Sequence, residues 1–365
     1  MSYKYPVYQP NLNGNEKKYV QECLDSTWIS SKGKFISQFE NNFSKFTGIK
    51  NSVAVSNGTV ALHVALLALG IGKDDEVIVP TFTYIASVNA IHYTGAKPVF
   101  IDSTSDTWQI DTKKIEKKIS SKTKAIMAVH IYGHPCEMEE ILKIANKHKL
   151  FIIEDCAEAI GTFYNGKHAG SFGHISTFSF FGNKAITTGE GGMVCTNDDS
   201  LADLSIRIKG QGLAKNQEYF HDIIGYNYRM TNICAAIGCA QLERIDEILI
   251  NKRRVAQNYL DCLKGLPIEF HKEIGNVKHS YWMFTILVAS ESERVSLRNF
   301  LKENGIETRP TFHPVHTMPM YNTAEKFEIA DDLGSRGINL PSYPDLSDSD
   351  INFITDRIKE FYDKH

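Results

Sequence analysis

Short apolar runs alternate with longer amphipathic stretches along the chain from about residue 50. The runs are rich in β-branched residues and include EVIVP, KPVFID and LFIIEDC, whereas stretches such as MEEILKIANKHK place apolar residues three and four positions apart. Strands that are apolar at almost every position are buried on both faces, and the helices between them supply the cover. The pattern therefore predicts an α/β fold with a mainly parallel sheet between two layers of helices.

The pattern changes in the second half of the chain. FYNGKHAGSFG predicts a hairpin, and a long helical pattern follows from about Thr231 to Lys264. Beyond it, SYWMFTILVA predicts a strand, and SERVSLRNFLKENG and SDSDINFITDRIKEFYDKH predict helices that begin at Ser or Asp. We expect a large domain of residues 1–250, which includes an N-terminal arm, and a smaller C-terminal α/β domain of residues 251–365.

Composition narrows the class of protein. The 40 basic and 43 acidic side chains give a formal net charge of −3, which offers no broad basic surface for nucleic acid or for an anionic membrane. The longest apolar stretch, Val60 to Leu69, is interrupted by His63 and is too short to span a bilayer. The N-terminal residues lack the apolar core of a signal peptide. The seven scattered cysteines contain no CxxC pair, so we expect reduced thiols in a cytoplasmic enzyme.

One candidate anion site lies in the segment Ser56-Asn57-Gly58-Thr59, where a predicted strand passes into a helix. Gly58 permits close approach of another backbone, and the free N–H groups at a helix start favour a phosphate. The same four residues are more often only a turn and a helix cap, so both interpretations stay open from the segment alone. Neither a GxGxxG motif after the first strand nor a P-loop motif occurs, which weakens dinucleotide and P-loop nucleotide binding.

Carboxylates and a lysine follow later strands. Asp155 ends the run LFIIED, and carboxyl ends of parallel strands line the ligand crevice of such folds. A structural role as a backbone cap is about as common for such an aspartate. Glu158 is three residues further on, and Ser179 and Lys184 flank FFGN before a glycine-rich turn. An anion site, a strand-end aspartate and a lysine among aromatic residues are the groups that pyridoxal 5′-phosphate (PLP) requires.

Four longer segments carry a family resemblance. They are SNGTVALHVALLALGIGKDDEVIVPTFTYIASVNAI, FIIEDCAEAIG, STFSFFGNKAITTGEGGMV and GYNYRMTNICAAIGCAQLE, and together they resemble the DegT-type sugar aminotransferases of the fold type I superfamily. The resemblance extends over almost the whole chain, with the segments in the family's order. It implies a fold type I PLP-dependent transferase, with a mainly parallel seven-stranded sheet in the large domain, that works as a homodimer.

The resemblance assigns the cofactor site residue by residue. Lys184 matches the lysine that binds PLP covalently, Asp155 matches the carboxylate on the pyridinium nitrogen, and Tyr84 matches the aromatic residue on the ring. The phosphate-binding groups of the family correspond to Gly58, Thr59 and Ser179, and Ser56 of the same turn is assigned to the site with them.

Four further assignments concern the edge of the site. Asn227 matches a residue that reaches the phosphate from the other subunit, and Glu158 replaces the family's usual Gln near the ring hydroxyl. Arg229 is a candidate for the substrate phosphates across the interface, with a structural ion pair as the alternative. His313 is a candidate substrate contact in a proline-rich loop.

The resemblance also suggests the substrate. VYQPNL, CLDSTWISSKGKFI and ETRPTFHPVHTMPMY are most similar to family members that aminate a GDP-linked 4-keto-6-deoxy sugar for bacterial O-antigen, with L-glutamate as the amino donor. The alternatives are a UDP- or dTDP-linked keto sugar, a PLP-dependent sugar 3-dehydratase, and a PLP-binding regulator without catalysis. Relatives with dehydratase chemistry carry His in place of the lysine, so Lys184 argues against that alternative.

Two other groups of residues are assigned structural roles. His130 and His134 are four residues apart, but HIYGHP is a strand that runs into a turn, so helical metal-ligand spacing does not apply and we expect no metal site. Trp282 and Phe284 are expected in the core.

Overall fold

The computed structural model describes residues 3–364, in which helices follow most of the strands. The helices are α1 (Glu16–Asp25), α2 (Lys34–Thr47), α3 (Gly58–Ala68), α4 (Ile85–Tyr93), α5 (Thr112–Ile115), α6 (Met138–His148), α7 (Asp199–Lys209), α8 (Asn232–Glu243), α9 (Ile245–Cys262), α10 (Glu291–Glu303), α11 (Glu328–Arg336) and α12 (Asp348–Lys364). Single 3₁₀ turns cover Glu116–Lys118, Ile131–Gly133 and Val315–Thr317. Of these helices, none is both long enough and apolar enough to cross a membrane.

The largest sheet has seven strands: β1 (Asn51–Val55), β2 (Glu76–Pro80), β3 (Lys97–Ile101), β4 (Thr123–Val129), β5 (Phe151–Asp155), β8 (Ile175–Ser179) and β9 (Gly192–Thr196). Their spatial order is β1-β9-β8-β5-β4-β2-β3. Strand β9 alone runs against the other six, because it pairs antiparallel with both β1 and β8. The prediction of a mainly parallel sheet is confirmed.

Successive residues of the central strands face opposite layers of helices. Val77 and Val79 of β2 pack into the apolar cluster that contains residues of α3 and α4, whereas Ile78 packs into the cluster that contains residues of α6. On β5, Ile153 packs into the cluster with α3 and α4, and Ile152 packs into the cluster with α6. Side chains alternate across a strand, so a strand that is apolar at every position needs cover on both faces. This requirement places α3 and α4 on one side of the sheet and α6 on the other.

The smaller sheets belong to the predicted hairpin and to the C-terminal part. The hairpin strands β6 (Phe163–Tyr164) and β7 (Lys167–His168) pair with each other, and β6 also pairs with β11 (Val277–Lys278), which comes from the C-terminal part of the chain. A four-stranded antiparallel sheet has the order β10-β12-β14-β13, with β10 at Glu269–Phe270, β12 at Phe284–Leu287, β13 at Arg309–Pro310 and β14 at Gly337–Leu340. The predicted strand within SYWMFTILVA and the two predicted C-terminal helices are present as β12, α10 and α12.

The long helical pattern from Thr231 to Lys264 is two helices rather than one. They meet at Arg244, whose φ of −113° and ψ of 13° are not helical. The guanidinium of Arg244 donates to Asn11 Oδ1 at 2.6 Å and to both carboxylate oxygens of Glu247, so the N-terminal arm is bound at the break. Helix α9 begins directly after Arg244 and passes through residue 250. A domain boundary at that residue therefore stays a prediction.

Candidate active site

A cavity of about 670 Å³ lies at the carboxyl ends of β4, β5 and β8, next to the four-stranded sheet of the C-terminal part. The carboxyl ends of parallel strands are where α/β folds bind ligands, since the chain leaves the sheet there and opens a crevice. Residues from distant parts of the sequence line this cavity. Among them are seven of the predicted site residues: Gly58, Thr59, Tyr84, Asp155, Glu158, Ser179 and Lys184.

One end of the cavity is built around the start of helix α3. Asn57 caps the helix by accepting a backbone N–H of the first turn at 2.9 Å. A Cβ atom at Gly58 would lie 2.8 Å from Ser179 Cβ, and a Cβ atom at Gly192 would lie 2.4 Å from Asn57 O. Only glycine allows these three segments to approach so closely. The helix start and the hydroxyl groups of Thr59 and Ser179 thus form a compact cradle that suits a phosphate.

Asp155 lies at the end of β5 as a buried carboxylate with defined partners. Ser87 Oγ donates to its Oδ2 at 2.7 Å, and the backbone N–H of Ala157 donates to its Oδ1 at 3.1 Å. Burial raises the pKa of Asp155, while these two hydrogen bonds and the charge of Lys184 oppose the rise. The carboxylate is therefore fixed in orientation and remains an acceptor for a protonated ring nitrogen.

Lys184 extends into the same cavity from the turn after β8. Its Nζ lies 3.5 Å from Glu158 Oε1 and 3.9 Å from the centre of the Trp282 ring. Burial lowers the pKa of this amine, and the negative charges of Glu158 and Asp155 raise it in part. A lowered pKa favours the neutral form of the amine, which is the form that carbonyl attack and proton transfer require.

Glu158 is held by an unusual backbone conformation. Its Oε2 accepts the backbone N–H of Tyr132 at 2.7 Å. Tyr132 has a φ of +55°, a region that bulky residues rarely adopt, and this conformation directs its N–H toward the carboxylate. Burial raises the pKa of Glu158 to about 7, against the opposing effect of Lys184. The carboxyl group can therefore hold or release a proton near neutral pH, which an amide at this position could not do.

Aromatic side chains form one wall of the cavity. The rings of Tyr132 and Phe312 are nearly parallel, at 5.4 Å and 9°, and those of Tyr132 and Trp282 lie 6.0 Å apart at 14°. Trp282 is only 5% exposed, as expected of a core residue, yet its ring faces the amine of Lys184. Tyr84 projects into the opening with 55% of its surface exposed, and its ring lies 5.5 Å from that of Phe312.

Four predicted site residues do not line this cavity within the single chain: Ser56, Asn227, Arg229 and His313. The backbone N–H of Ser56 donates to Tyr228 O at 2.8 Å, which joins the end of β1 to the GYNYR segment. Asn227 and Arg229 are exposed, and Arg229 Nη2 donates to Asn227 Oδ1 at 3.2 Å. His313 is exposed next to Phe312. Their assigned roles in binding stay predictions.

Several cavity residues were not assigned to the site from the sequence: Ser87, Trp282, Arg309, Phe312 and Asn339. Asn57, which belongs to the candidate anion segment, also lines the cavity and caps helix α3. Arg309 and Asn339 are paired across β13 and β14 of the small sheet, and no sequence pattern places that sheet beside Lys184. Ser87 and Trp282 resemble ordinary core residues in the sequence.

A buried polar group of His130, Glu154 and Cys156 lies behind the site. Its potential ligand atoms lie within 4.8 Å of one another, and it is the one such metal-ligand group found in residues 3–364. The carboxylate of Glu154 accepts a hydrogen bond from His130 Nε2 at 3.0 Å. It also accepts hydrogen bonds from the backbone N–H groups of Gly170, Phe172 and Gly173. These bonds satisfy both carboxylate oxygens and tie β4 and the loop before β8 to β5. They give the group a structural role.

The geometry fits PLP at every part of the cofactor. The cradle at the start of α3 suits the phosphate, Asp155 suits the ring nitrogen, and the amine of Lys184 suits the aldehyde. A Cβ atom at Gly58 or Gly192 would fill the space where the cradle closes. Lys184, Asp155, Gly58, Thr59 and Ser179 thus lie together in one cavity, and their individual roles toward the cofactor stay predictions.

The chain is similar over nearly its whole length to known proteins. The DegT/DnrJ/EryC1/StrS aminotransferase family model matches residues 10–359. GDP-perosamine synthase of Escherichia coli O157:H7 is 61% identical over 358 residues, which is 98% of each chain. The enzyme of the same name from Vibrio cholerae is 52% identical and covers 98% of this chain and 99% of its own.

A solved structure with a similar fold is the PLP form of the sugar aminotransferase Spr1654 from Streptococcus pneumoniae. It superposes with a TM-score of 0.94 at 27% identity and covers 99% of both chains. The family match and the shared fold support pyridoxal 5′-phosphate as the cofactor. The chain belongs to the DegT/DnrJ/EryC1/StrS aminotransferase family.

Proposed function

We propose that this protein is a PLP-dependent aminotransferase that transfers the amino group of L-glutamate to C4 of GDP-4-keto-6-deoxy-D-mannose. The products are 2-oxoglutarate and GDP-perosamine, a sugar donor for a bacterial surface polysaccharide. The observation that carries the chemistry is the buried amine of Lys184, 3.5 Å from Glu158, in a cavity shared with Asp155 and the phosphate cradle. The relatives at 61% and 52% identity, both named GDP-perosamine synthase, support the choice of sugar nucleotide.

Lys184 and Asp155 have different roles in the proposed reaction. When bound, PLP supplies an electron-accepting ring that stabilises negative charge on the carbon next to the amino nitrogen. Lys184, whose pKa is lowered by burial, removes the proton from Cα of L-glutamate and later delivers a proton to C4 of the sugar. Asp155, fixed by Ser87 and Ala157, stabilises positive charge on the protonated ring nitrogen.

Other groups exclude water and attract the substrates. The stack of Tyr132, Phe312 and Trp282 shields the reacting carbon on one side of the cavity. Arg309 lies on the cavity rim with 54% of its side chain exposed. Its Nη2 lies 3.3 Å from Oε1 of Glu307. A half-exposed guanidinium on the rim suits the carboxylates of L-glutamate and the diphosphate of the nucleotide sugar.

A homodimer with shared sites is part of the proposal. Asn227 and Arg229 lie outside the cavity of their own chain and are exposed, so they are free to meet the site of a second copy. Tyr219 and Ile224, on the same segment, are 93% and 85% exposed. Large apolar side chains this exposed favour a covered interface. A cytoplasmic location is also proposed, since the seven cysteines are all free thiols, as in a reducing compartment.

A coupled assay tests the proposal directly. The purified protein with PLP and L-glutamate would be given GDP-, UDP- and dTDP-linked 4-keto-6-deoxy sugars in turn, with products identified by mass and NMR. We expect the 4-amino sugar from the GDP-linked substrate and an equal amount of 2-oxoglutarate. Preference for a UDP- or dTDP-linked sugar would overturn the nucleotide assignment, and a product that has lost its C3 hydroxyl without gaining nitrogen would indicate a dehydratase.

A further inference from the structure

A lysine occupies a core position of helix α9. The buried positions of this helix recur three and four residues apart, as on the apolar face of an amphipathic helix. They are Ile245, Ile248, Leu249, Lys252, Val255, Ala256 and Tyr259. Lys252 is only 1% exposed, and lysines are almost never buried this completely unless they are paired. The reaction described above gives this residue no role.

The amine of Lys252 is bound by backbone carbonyls instead of a carboxylate. Its Nζ donates to Trp282 O at 2.9 Å and, more closely still, to Ser342 O. It also lies 5.4 Å from the centre of the Tyr8 ring. No ion pair involves it within residues 3–364, and burial alone lowers its pKa to about 7. Three separate segments thus converge on one buried amine: the N-terminal arm, the approach to β12 and the residues after β14.

Two of these contacts lead directly to Lys184. The indole Nε1 of Trp282 donates to Asn183 O at 2.7 Å, and the Trp282 ring faces Lys184 Nζ at 3.9 Å. The hydroxyl of Tyr8 donates to Lys184 O at 2.5 Å. The backbone of residues 183 and 184 is therefore held from two sides, by the two aromatic residues that Lys252 touches.

We propose that Lys252 is a positioning residue that holds Trp282 and Tyr8 against Asn183 and Lys184, and so fixes the direction of the Lys184 amine. Its N–H groups satisfy two carbonyls that would otherwise be buried without a donor, a loss that is costly in an apolar setting. Through these contacts, the side chain of Lys252 connects helix α9 and Tyr8 of the N-terminal arm to the amine of Lys184. This inference rests on the proposed function only for the measurement of the reaction with L-glutamate, and the hydrogen-exchange measurement does not depend on it.

The principal test replaces Lys252 with Met, which keeps the length and apolar stem and removes the donors. In the PLP-free protein, we expect faster hydrogen exchange confined to the peptide that contains residues 180–186. In the PLP-loaded protein, the pH midpoint of the visible absorbance of lysine-bound cofactor should shift. The absorbance change on adding L-glutamate should be about tenfold slower, since small misplacement of a reacting group has effects of this size or larger.

A matched control distinguishes positioning from general loss of a buried cation. Arg294 is 7% exposed and donates to Gly334 O at 2.7 Å, within the C-terminal part and away from the cavity. Arg294→Met should leave the exchange of residues 180–186, the absorbance midpoint and the glutamate rate at wild-type values. If Lys252→Met matches this control in all three measurements, the proposal is wrong.

A second variant covers the case in which Lys252→Met does not fold. Trp282→Phe keeps an aromatic ring but removes the indole donor to Asn183 O, so it breaks the same connection at its other end. It should reproduce the local exchange and the absorbance shift, and wild-type values for both would overturn the proposal. A wild-type protein that binds PLP but shows no response to L-glutamate would instead contradict the proposed function, while the exchange measurement would still test Lys252.

Discussion

The chemistry of the site depends on three buried ionisable side chains whose surroundings differ. Asp155 is fixed by two hydrogen-bond donors, Glu158 has one backbone donor and one oxygen facing Lys184, and Lys184 lies against an indole ring. Burial raises the pKa of both carboxyl groups and lowers that of the amine. Lys184 therefore gives up its proton more readily than a lysine in water, and Glu158, with a pKa of about 7, gives up its proton less readily than a glutamic acid in water.

Replacement of Lys184 should stop the reaction without unfolding the protein. In Lys184→Ala, no second lysine among residues 3–364 lines the cavity, and the guanidinium of Arg309 does not deprotonate. We expect a loss of at least about 10²–10⁴-fold in amination rate, the usual contribution of a positioned acid–base group. PLP should still bind without its lysine-linked absorbance, as measured by spectrophotometry and dialysis. Near-normal turnover by the variant would show that another residue moves the proton.

Replacement of Glu158 should change how stability depends on pH in the PLP-free protein. Burial raises the pKa of Glu158 from 4.5 to about 7, so between these values the folded protein holds a proton that the unfolded chain has released. The wild type therefore loses stability from this group as pH rises through that window. The free energy of unfolding of Glu158→Gln should increase relative to wild type from pH 4.5 to 7 and stay level above it.

Urea denaturation at a series of pH values measures this difference. Lys184 and Asp155, the charged groups that face Glu158, are present in both proteins. Glu140→Gln is the matched control for removal of a carboxyl group, since that side chain is 52% exposed on helix α6. A Glu158→Gln difference that does not vary with pH across this window would contradict the raised pKa of Glu158.

At the scale of elements, the phosphate cradle exists because a helix start, a strand end and a strand start meet with glycine between them. Asn57 caps α3, Ser179 ends β8 and Gly192 begins β9. Antiparallel pairing of β9 with both β1 and β8 brings the three points together. The site is therefore sensitive to backbone spacing as well as to the polar side chains.

Gly192→Ala tests this spacing. The added Cβ would lie 2.4 Å from Asn57 O, a backbone atom that can move only with the start of α3. We expect a loss of about 1–3 kcal/mol in the free energy of unfolding, as for other overpacked sites, together with weaker PLP binding. Denaturation and a PLP titration measure the two effects. Gly72→Ala is the control, because its Cβ would meet only Thr94 O at 3.8 Å.

At the scale of the whole molecule, helix α9 and the N-terminal arm, which contains Tyr8 and Asn11, join the two parts of the chain around one cavity. The arm is bound to the break between α8 and α9 through Asn11 and Arg244, and Tyr8 reaches Lys184. The C-terminal part supplies Trp282, Arg309 and Asn339 to the cavity wall. The site is thus assembled from both ends of the sequence. A second copy of the chain is proposed to complete it.

Mixed dimers test the shared site. Asn227→Asp places a carboxylate where the proposal puts a contact to the phosphate of the other chain, so it should weaken PLP binding there by charge repulsion. Combined with Lys184→Ala chains, it should give dimers in which one site carries both defects and the other carries neither. Activity should recover to at most about half of the wild-type value per dimer, because the two sites are related by symmetry.

The experiment needs each variant to be inactive alone and chain exchange to be verified by mass. Each inactive variant refolded by itself is the control. No recovery in verified mixed dimers, or full activity in a stable monomer, would contradict the shared site.

The sequence by itself determined the fold class and the chemically distinctive residues. Apolar strands without alternation require cover on both faces, which predicts the parallel sheet, and the resemblance of their segments to the DegT-type family assigned Lys184, Asp155 and Gly58 to a cofactor site. Strand ends and helix starts are short-range properties, since each is encoded within a few positions.

Only the tertiary structure decided which distant side chains meet these residues. Trp282, Arg309 and Asn339 reach the cavity because the small sheet packs there. Lys252 can be identified as a buried hydrogen-bond donor only when the carbonyls of Trp282 and Ser342 are in place. The break at Arg244 and the left-handed φ of Tyr132 depend on contacts with the N-terminal arm and with Glu158. Such pairings join residues more than a hundred positions apart in several cases, and no local pattern records them because packing of the whole chain selects the partners.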